Sequence, residues 1–555
     1  MWTYLRTHRL LLLQSLFFLF LSLSFIITSG LYRCSDGICG LWIGQWHMHD
    51  ALWHLSLVST AFKQFPFIHP EFAGANLVGY NYLLDLLIYT MSSIGLSPLF
   101  IFFQLLPVLT AILFIYLVIK YIVHTKLSDI QANTLAFFLF FGSSFSYLAT
   151  LHNGATLYYS SMRGFPVVTS IQPGMIFLNI QFALSLCTIL MVMMTLRSKL
   201  TFQNIFLIGL LTFITAGLKF YGGAMLFGYI GLTLLFKLFK DRQWKPVILT
   251  MGSSILGLFL SYLFFYVVPG SKSFPFDLAP FAITHLMIED VLLFYDHNMT
   301  LARYFLYENS IGFSPRLWGI ELYSIILFLL INFGTRIFGL ISTSVQAIRR
   351  RVESSELVLL VLVMLSTLIP ILFVQEGGWY NTTQFLYYGV FFASFLSFRP
   401  LAALFSSHKK HLMLIGVIWI LLTIPNHIDQ LRYLTEKQNV ITDGELSALS
   451  FLKDQPKGVV YQSGSDKENS YVSALAAQQS YFVDIDQLMV THVDYESRAK
   501  TLGNPSLVLS DTQIQYVYIN KSHANADLIL QALDSRDDFI SLFDNNSVII
   551  YGRIL

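Results

Sequence analysis

Apolar runs of about 20 residues recur along most of this 555-residue chain, and nothing constrains its fold more. Eleven of them, near 10–28, 99–119, 132–150, 173–196, 201–218, 222–236, 246–267, 320–341, 355–374, 383–398 and 411–425, have the composition of bilayer-crossing helices. Arg6 and Arg9 before the first run resemble the start of a signal peptide, but the spans that follow favour an uncleaved helix. Only 12% of residues are charged, against about 25% in soluble domains, which argues against a water-soluble enzyme or a disordered protein. A net charge of +2 leaves no basic footprint for nucleic acid. The expected class is a mainly α, polytopic transmembrane bundle.

Charge divides the chain in two. Residues 1–425 hold 24 Lys/Arg and 15 Asp/Glu, whereas 426–555 hold 10 and 17. The first part reads as the membrane domain, with long outer loops at 29–98 and 268–319. The second reads as a soluble α/β domain, since strand-like runs at 458–461, 480–483, 514–518 and 547–551 alternate with helical ones near 444–454, 470–478, 493–502 and 523–534. With the N-terminus cytoplasmic, inner loops carry 16 Lys/Arg and outer loops 7, as the positive-inside rule requires. That count holds only if 80–96 lies at the outer interface, with Tyr82, Asp85 and Tyr89 as its polar stripe. The 426–555 domain then lies outside. The spacing of Cys34 and Cys39 in the first outer loop leaves both a disulfide and free thiols open.

The segment after the first span concentrates chemistry. In Trp46-His47-Met48-His49-Asp50-Ala51-Leu52-Trp53-His54, helical spacing puts His47, Asp50 and His54 on one face. Trp46, Trp53 and Leu57 form the opposite face, suited to the membrane interface. A Pro/Gly-punctuated aromatic stretch, 65–80, including Glu71 and Tyr80, follows as a shaped loop and returns the chain to the helix carrying Asp85. Most other acids of the membrane half also collect on the outer side, Glu289, Asp290, Asp296, Glu321 and Glu376 among them.

This arrangement of a first span, a long outer loop with two helices and an early aspartate resembles the GT-C class of membrane glycosyltransferases. That class includes oligosaccharyltransferase catalytic subunits, protein O-mannosyltransferases and the aminoarabinose transferase of lipid A. The resemblance implies sugar transfer from a polyprenyl-phosphate donor to a glycan, lipid or protein acceptor outside the cytoplasm. By position, Asp50 matches the acidic residue that serves as base or metal ligand in the class, with His54 or His47 beside it. The acid often found in the second outer loop is missing, and 151–172 offers His152, Asn153, Arg163 and Gln172 instead. Such chemistry needs a base for the acceptor hydroxyl, and cations or a divalent metal for the departing phosphate. Lys219, Arg163, Arg316, Lys272 and Arg303 are the candidate cations, and Glu71, Tyr80 and Asp85 would line the substrate.

Two other readings stand beside this one: a transporter or lipid flippase, and a non-catalytic scaffold in the bilayer. Transporters place ionisable groups at mid-membrane on broken helices and repeat their halves, whereas these acids lie at the surface and no halves repeat. The expected location is a bacterial inner membrane.

Overall fold

The structure, a computed structural model, describes residues 8–24, 29–44, 47–148, 179–241, 244–267, 276–289, 297–309, 314–375, 379–428, 431, 438–464 and 470–554. Each of the eleven expected spans overlaps a helix, although 132–150 is helical only to Phe141 before a break at 142–145. Among the described residues eight helices are long and apolar enough to cross a membrane: Pro98–Thr125, Ile180–Arg197, Phe220–Phe239, Trp244–Tyr266, Pro315–Ile348, Ser354–Leu372, Thr383–Phe405 and Lys410–Ile428. The other three, Arg9–Ser24, Asp129–Phe141 and Phe202–Leu218, are shorter within those residues. The chain is a multi-pass membrane protein.

Contacts divide it into two compact units. The first comprises Met1–Ser24, Val108–Ser261 and Lys272–Tyr433; the second comprises Phe25–Pro107, Tyr262–Ser271 and Leu434–Leu555. The segment 29–98 thus packs with the C-terminal residues.

Small residues let helices of the first unit approach closely. A Cβ at Gly257 would collide with the carbonyl of Gly209, so Phe202–Leu218 and Trp244–Ser261 touch backbone to backbone there. The helix Asp129–Phe141 stops at Gly142, and 142–145 runs non-helically through the interior with Ser143, Ser144 and Ser146 buried. Apolar surroundings tolerate such a break only if its backbone finds partners within the protein. A second break, Gly334–Arg336, supplies them: Phe145 N–H donates to Ile331 O (2.8 Å) and Thr335 N–H to Ser143 O (3.3 Å). Asn426 adds a bond to Ser144 O at 2.6 Å, and Trp419 one to Thr335 O at 2.6 Å. Arg336, fully buried, donates to Ser394 Oγ (2.8 Å) and to Phe138 O (3.3 Å), placing a cation at the carbonyl end of the interrupted helix.

In the second unit, Val459–Gln462 runs parallel to Gln479–Ser480 and to Ile514–Asn520, while Val548–Arg553 and Phe539–Asp544 complete the five-stranded sheet antiparallel. The α/β expectation holds. The 470–478 run, however, forms only a short turn over Val472–Ala476, and 493–502 is helical only over Glu496–Ala499. Hairpin strands Leu31–Ser35 and Ile38–Gly44, closed by a Cys34–Cys39 disulfide, gain a third strand from Gln438–Thr442.

Two expectations about the first loop need correction. Trp53 and Leu57 do not lie at a membrane interface; they are fully buried against Ala61, Phe62 and Leu77. The helix after the loop is Leu83–Ser93, and Asp85 is no part of a water-facing stripe but is fully buried. An imidazole partner, described next, makes that burial tolerable.

Candidate active site

The helix His47–Ser59 and the helix Leu83–Ser93 pack together in the second unit. Their shared contact joins two of the expected site residues. His54 Nδ1 meets Asp85 Oδ1 at 2.9 Å, the aspartate side chain being 0% exposed and the histidine 12%. A carboxylate held at one ring nitrogen orients the imidazole, as in other carboxylate–histidine pairs. Phe102 stacks on the His54 ring at 5.9 Å, and Tyr80 lies at 6.2 Å from it while meeting Trp53 edge-on. Desolvation pushes the Tyr80 phenol well up, and the charges of Asp85 and Asp50 add to the effect, so it remains a neutral donor.

Asp50 lies one helical turn before His54 and keeps 54% of its side chain exposed. Its partner is not His54 but His49. Nδ1 of His49 bonds Asp50 Oδ1 at 3.1 Å, and Nε2 reaches Asp484 Oδ2 at 2.7 Å. Burial opposes a charged imidazole here, but Asp484 and Asp50 outweigh it and push His49 up to about 12. The result is an imidazolium clamped between two carboxylates.

The loop between the helices is pinned to the C-terminal residues of the same unit. Ser480 N–H donates to Pro70 O (2.9 Å) and Val483 N–H to Glu71 O (3.0 Å), while Arg498 stacks on Phe72 and Tyr481 at 4.0 and 4.2 Å. Glu71 is fully buried and accepts from the Ser470 hydroxyl. Burial raises its carboxyl well above the usual range and the Asp484 charge adds to this, with Ser470 and His49 pulling the other way. Glu71 is therefore a neutral buried acid, a wall of the site rather than a charged ligand. His69 beside it is held neutral by burial, pushed down to about 3, with its ring between Glu71 N–H and Thr491 Oγ1.

The remaining expected residues lie elsewhere. Lys219 ends the helix Phe202–Leu218 and Arg316 opens the helix Pro315–Phe333, both in the first unit, half-buried and exposed respectively. Arg303 is committed within its own unit, with Nε on Glu321 Oε1 (2.7 Å) and Nη1 on Glu289 Oε1 (2.8 Å). The His47 side chain, Arg163, Lys272, Asp290, Asp296 and Glu376 lie outside the described residues. Among the described residues no three His, Cys, Asp or Glu side chains gather as a metal-binding group.

Searches by sequence match no family model and no curated protein. The fold does find counterparts. The archaeal oligosaccharyltransferase AglB from Archaeoglobus fulgidus, solved with an inhibitory peptide and a dolichol-phosphate, aligns over 100% of this chain and 75% of its own, with a TM-score of 0.52 at 13% identity. The Archaeoglobus fulgidus oligosaccharyltransferase in the apo form aligns over 98% and 74%, with a TM-score of 0.51 at 12% identity. This chain has a GT-C fold. At such identity the likeness speaks for GT-C architecture alone, and the site must be argued from its own side chains.

His49, Asp484 and Ser470 escaped the sequence reading. The adjacent His49-Asp50 pair is a usable local signal, although His49 falls off the helical face shared by His47, Asp50 and His54. Nothing local ties position 484 to position 49.

Proposed function

We propose that the chain is a membrane glycosyltransferase that moves a sugar from a polyprenyl-phosphate-linked donor to an acceptor hydroxyl on the extracytoplasmic side. One observation carries this reading. Within a GT-C fold, an exposed aspartate follows the first span and is held from behind by an imidazolium, one helical turn from a second carboxylate–histidine pair. Asp50 takes the acceptor proton as its oxygen attacks the anomeric carbon. The bond from that carbon to the phosphate oxygen breaks, and polyprenyl phosphate leaves. His54, oriented by Asp85, stands beside the reacting groups, and Tyr80 offers a neutral hydroxyl to the sugar. Departure of the phosphate also requires cationic stabilisation.

The 16 to 7 distribution of Lys/Arg supports a cytoplasmic N-terminus and a C-terminal part outside, and the membrane proposed for it is a bacterial inner membrane. The neighbour solved with a dolichol-phosphate lends weight to a lipid-linked donor. The test uses the full chain in lipid nanodiscs with undecaprenyl-phosphate donors bearing radiolabelled hexoses, and follows release of undecaprenyl phosphate. Wild type should consume at least one donor, and Asp50→Asn should lose that turnover at unchanged expression and melting temperature. Undiminished turnover by Asp50→Asn would remove the base from this scheme.

A further inference from the structure

We propose that Asp484 is a positioning residue that acts through His49 to fix the Asp50 carboxylate for the transfer reaction. The inference rests on the function proposed above and adds a role for the C-terminal part.

The three side chains form a line from interior to surface. Exposure rises from 1% at Asp484 through 24% at His49 to 54% at Asp50. An exposed aspartate in the first turn of a helix samples several rotamers, and adjacent residues of a helix point about 100° apart, so His49 steadies Asp50 only if it is itself anchored. Asp484 is that anchor, at 2.7 Å. Its own position is held tightly. The residue adopts a left-handed backbone (φ +58), and its Oδ1 accepts from Gln487 N–H at 3.2 Å to cap the helix Ile485–Val490. Its neighbour Val483 is bonded to Glu71 O in the shaped loop. Oδ1 thus serves the helix while Oδ2 serves His49. A residue needed only as a cap would have no use for the second contact.

Asp484→Asn is the discriminating variant, because asparagine tolerates the left-handed backbone and caps helices as well as aspartate does. In the undecaprenyl-phosphate hexose assay Asp484→Asn should lower kcat by about 100-fold with KM unchanged, the scale expected when a reacting group is misplaced by an ångström. Asp484→Glu should recover part of that loss, and His49→Gln should reproduce it. The double variant Asp484→Asn/His49→Gln should be no slower than the slower single variant, since both act along one path. Wild-type kcat in Asp484→Asn, an effect on KM alone, or additive losses in the double variant would each overturn the proposal. If Asp484→Asn does not fold, His49→Gln with wild-type kcat overturns it equally. The outcome stays distinct from that of the function itself: an active Asp50→Asn refutes the base, whereas an inactive Asp50→Asn beside a fully active Asp484→Asn refutes only the relay.

Discussion

In the helical unit the buried carboxylate Glu321 meets an arginine, and in the other unit the buried carboxylates Asp85 and Asp484 meet histidines. Arg336 is fully enclosed with a hydroxyl and a main-chain carbonyl as partners, and Arg303 is clasped by Glu289 and Glu321. His49 and His54 instead face Asp484, Asp50 and Asp85. A guanidinium keeps its proton throughout the accessible pH range, so it serves as a fixed pin in a setting where charge is costly. An imidazole can hold, give or accept a proton, and its role is set by the carboxylate it meets. The contacts of Arg303 and Arg336 therefore read as architecture, and those of His49 and His54 are the ones to which the proposed chemistry is assigned.

Removing a carboxylate from each unit should expose that difference. Asp85→Asn should lower turnover of the donor by about 10²–10⁴-fold, because His54 loses the carboxylate that orients it. Its melting temperature should fall far less than that of Glu321→Ala. In Glu321→Ala, Arg303 keeps Glu289 but loses the closer of its two carboxylates inside the first unit, and breaking such a buried pair costs about 3–5 kcal/mol. Thermal unfolding in detergent, run beside the turnover assay, checks both. A variant pair in which Glu321→Ala loses activity at full stability would erase the distinction between the units.

Gly334→Ala comes next in size. Gly334 has φ +50 and ψ −126, a conformation left almost wholly to glycine, and an added Cβ would lie inside contact distance of Ser143 O. Its loss should cost about 1–3 kcal/mol by loosening the paired helix breaks around Ser143 and Thr335. The measurement is again thermal unfolding, with the signal expected in the helical unit and not in the second unit's sheet.

How far these features could be read beforehand follows from the range of the interaction that makes them. Each span is declared by its own 20 or so residues, because burying backbone in lipid is a local demand. The strands at 459–462, 514–520 and 548–553 are likewise local apolar runs, whereas 438–442 becomes a strand only because the hairpin edge at 38–44 is there to receive it. The Asp50 position was legible from its place after the first span. The anchor of its partner His49 is not, since Asp484 lies over 400 residues away and the helical wheel favours His47 and His54. Arg336 was hidden for a different reason: it falls within an apolar run, so a count of loop charges passes over it. Trp53 misled because an aromatic face suits a membrane interface and a buried core equally well.

Glu71 gives the smallest effect and the sharpest sign. Its carboxyl is raised by burial and by Asp484, so the folded protein holds this proton above the pH at which the unfolded chain releases it. Between those two points the native state binds more protons, and stability falls as pH increases. The contribution is full below the ordinary glutamate range, near 4.5, and is lost as pH climbs through the raised folded value. Glutamine keeps the oxygen that accepts from Ser470 and carries no proton to lose. Glu71→Gln should therefore match wild type within about 1 kcal/mol at pH 5 and gain on it steadily towards pH 9. Melting temperatures of the two proteins across that interval decide the matter. A wild-type advantage that grows with pH would mean that Glu71 is ionised in the folded state, and that this wall of the site carries charge after all.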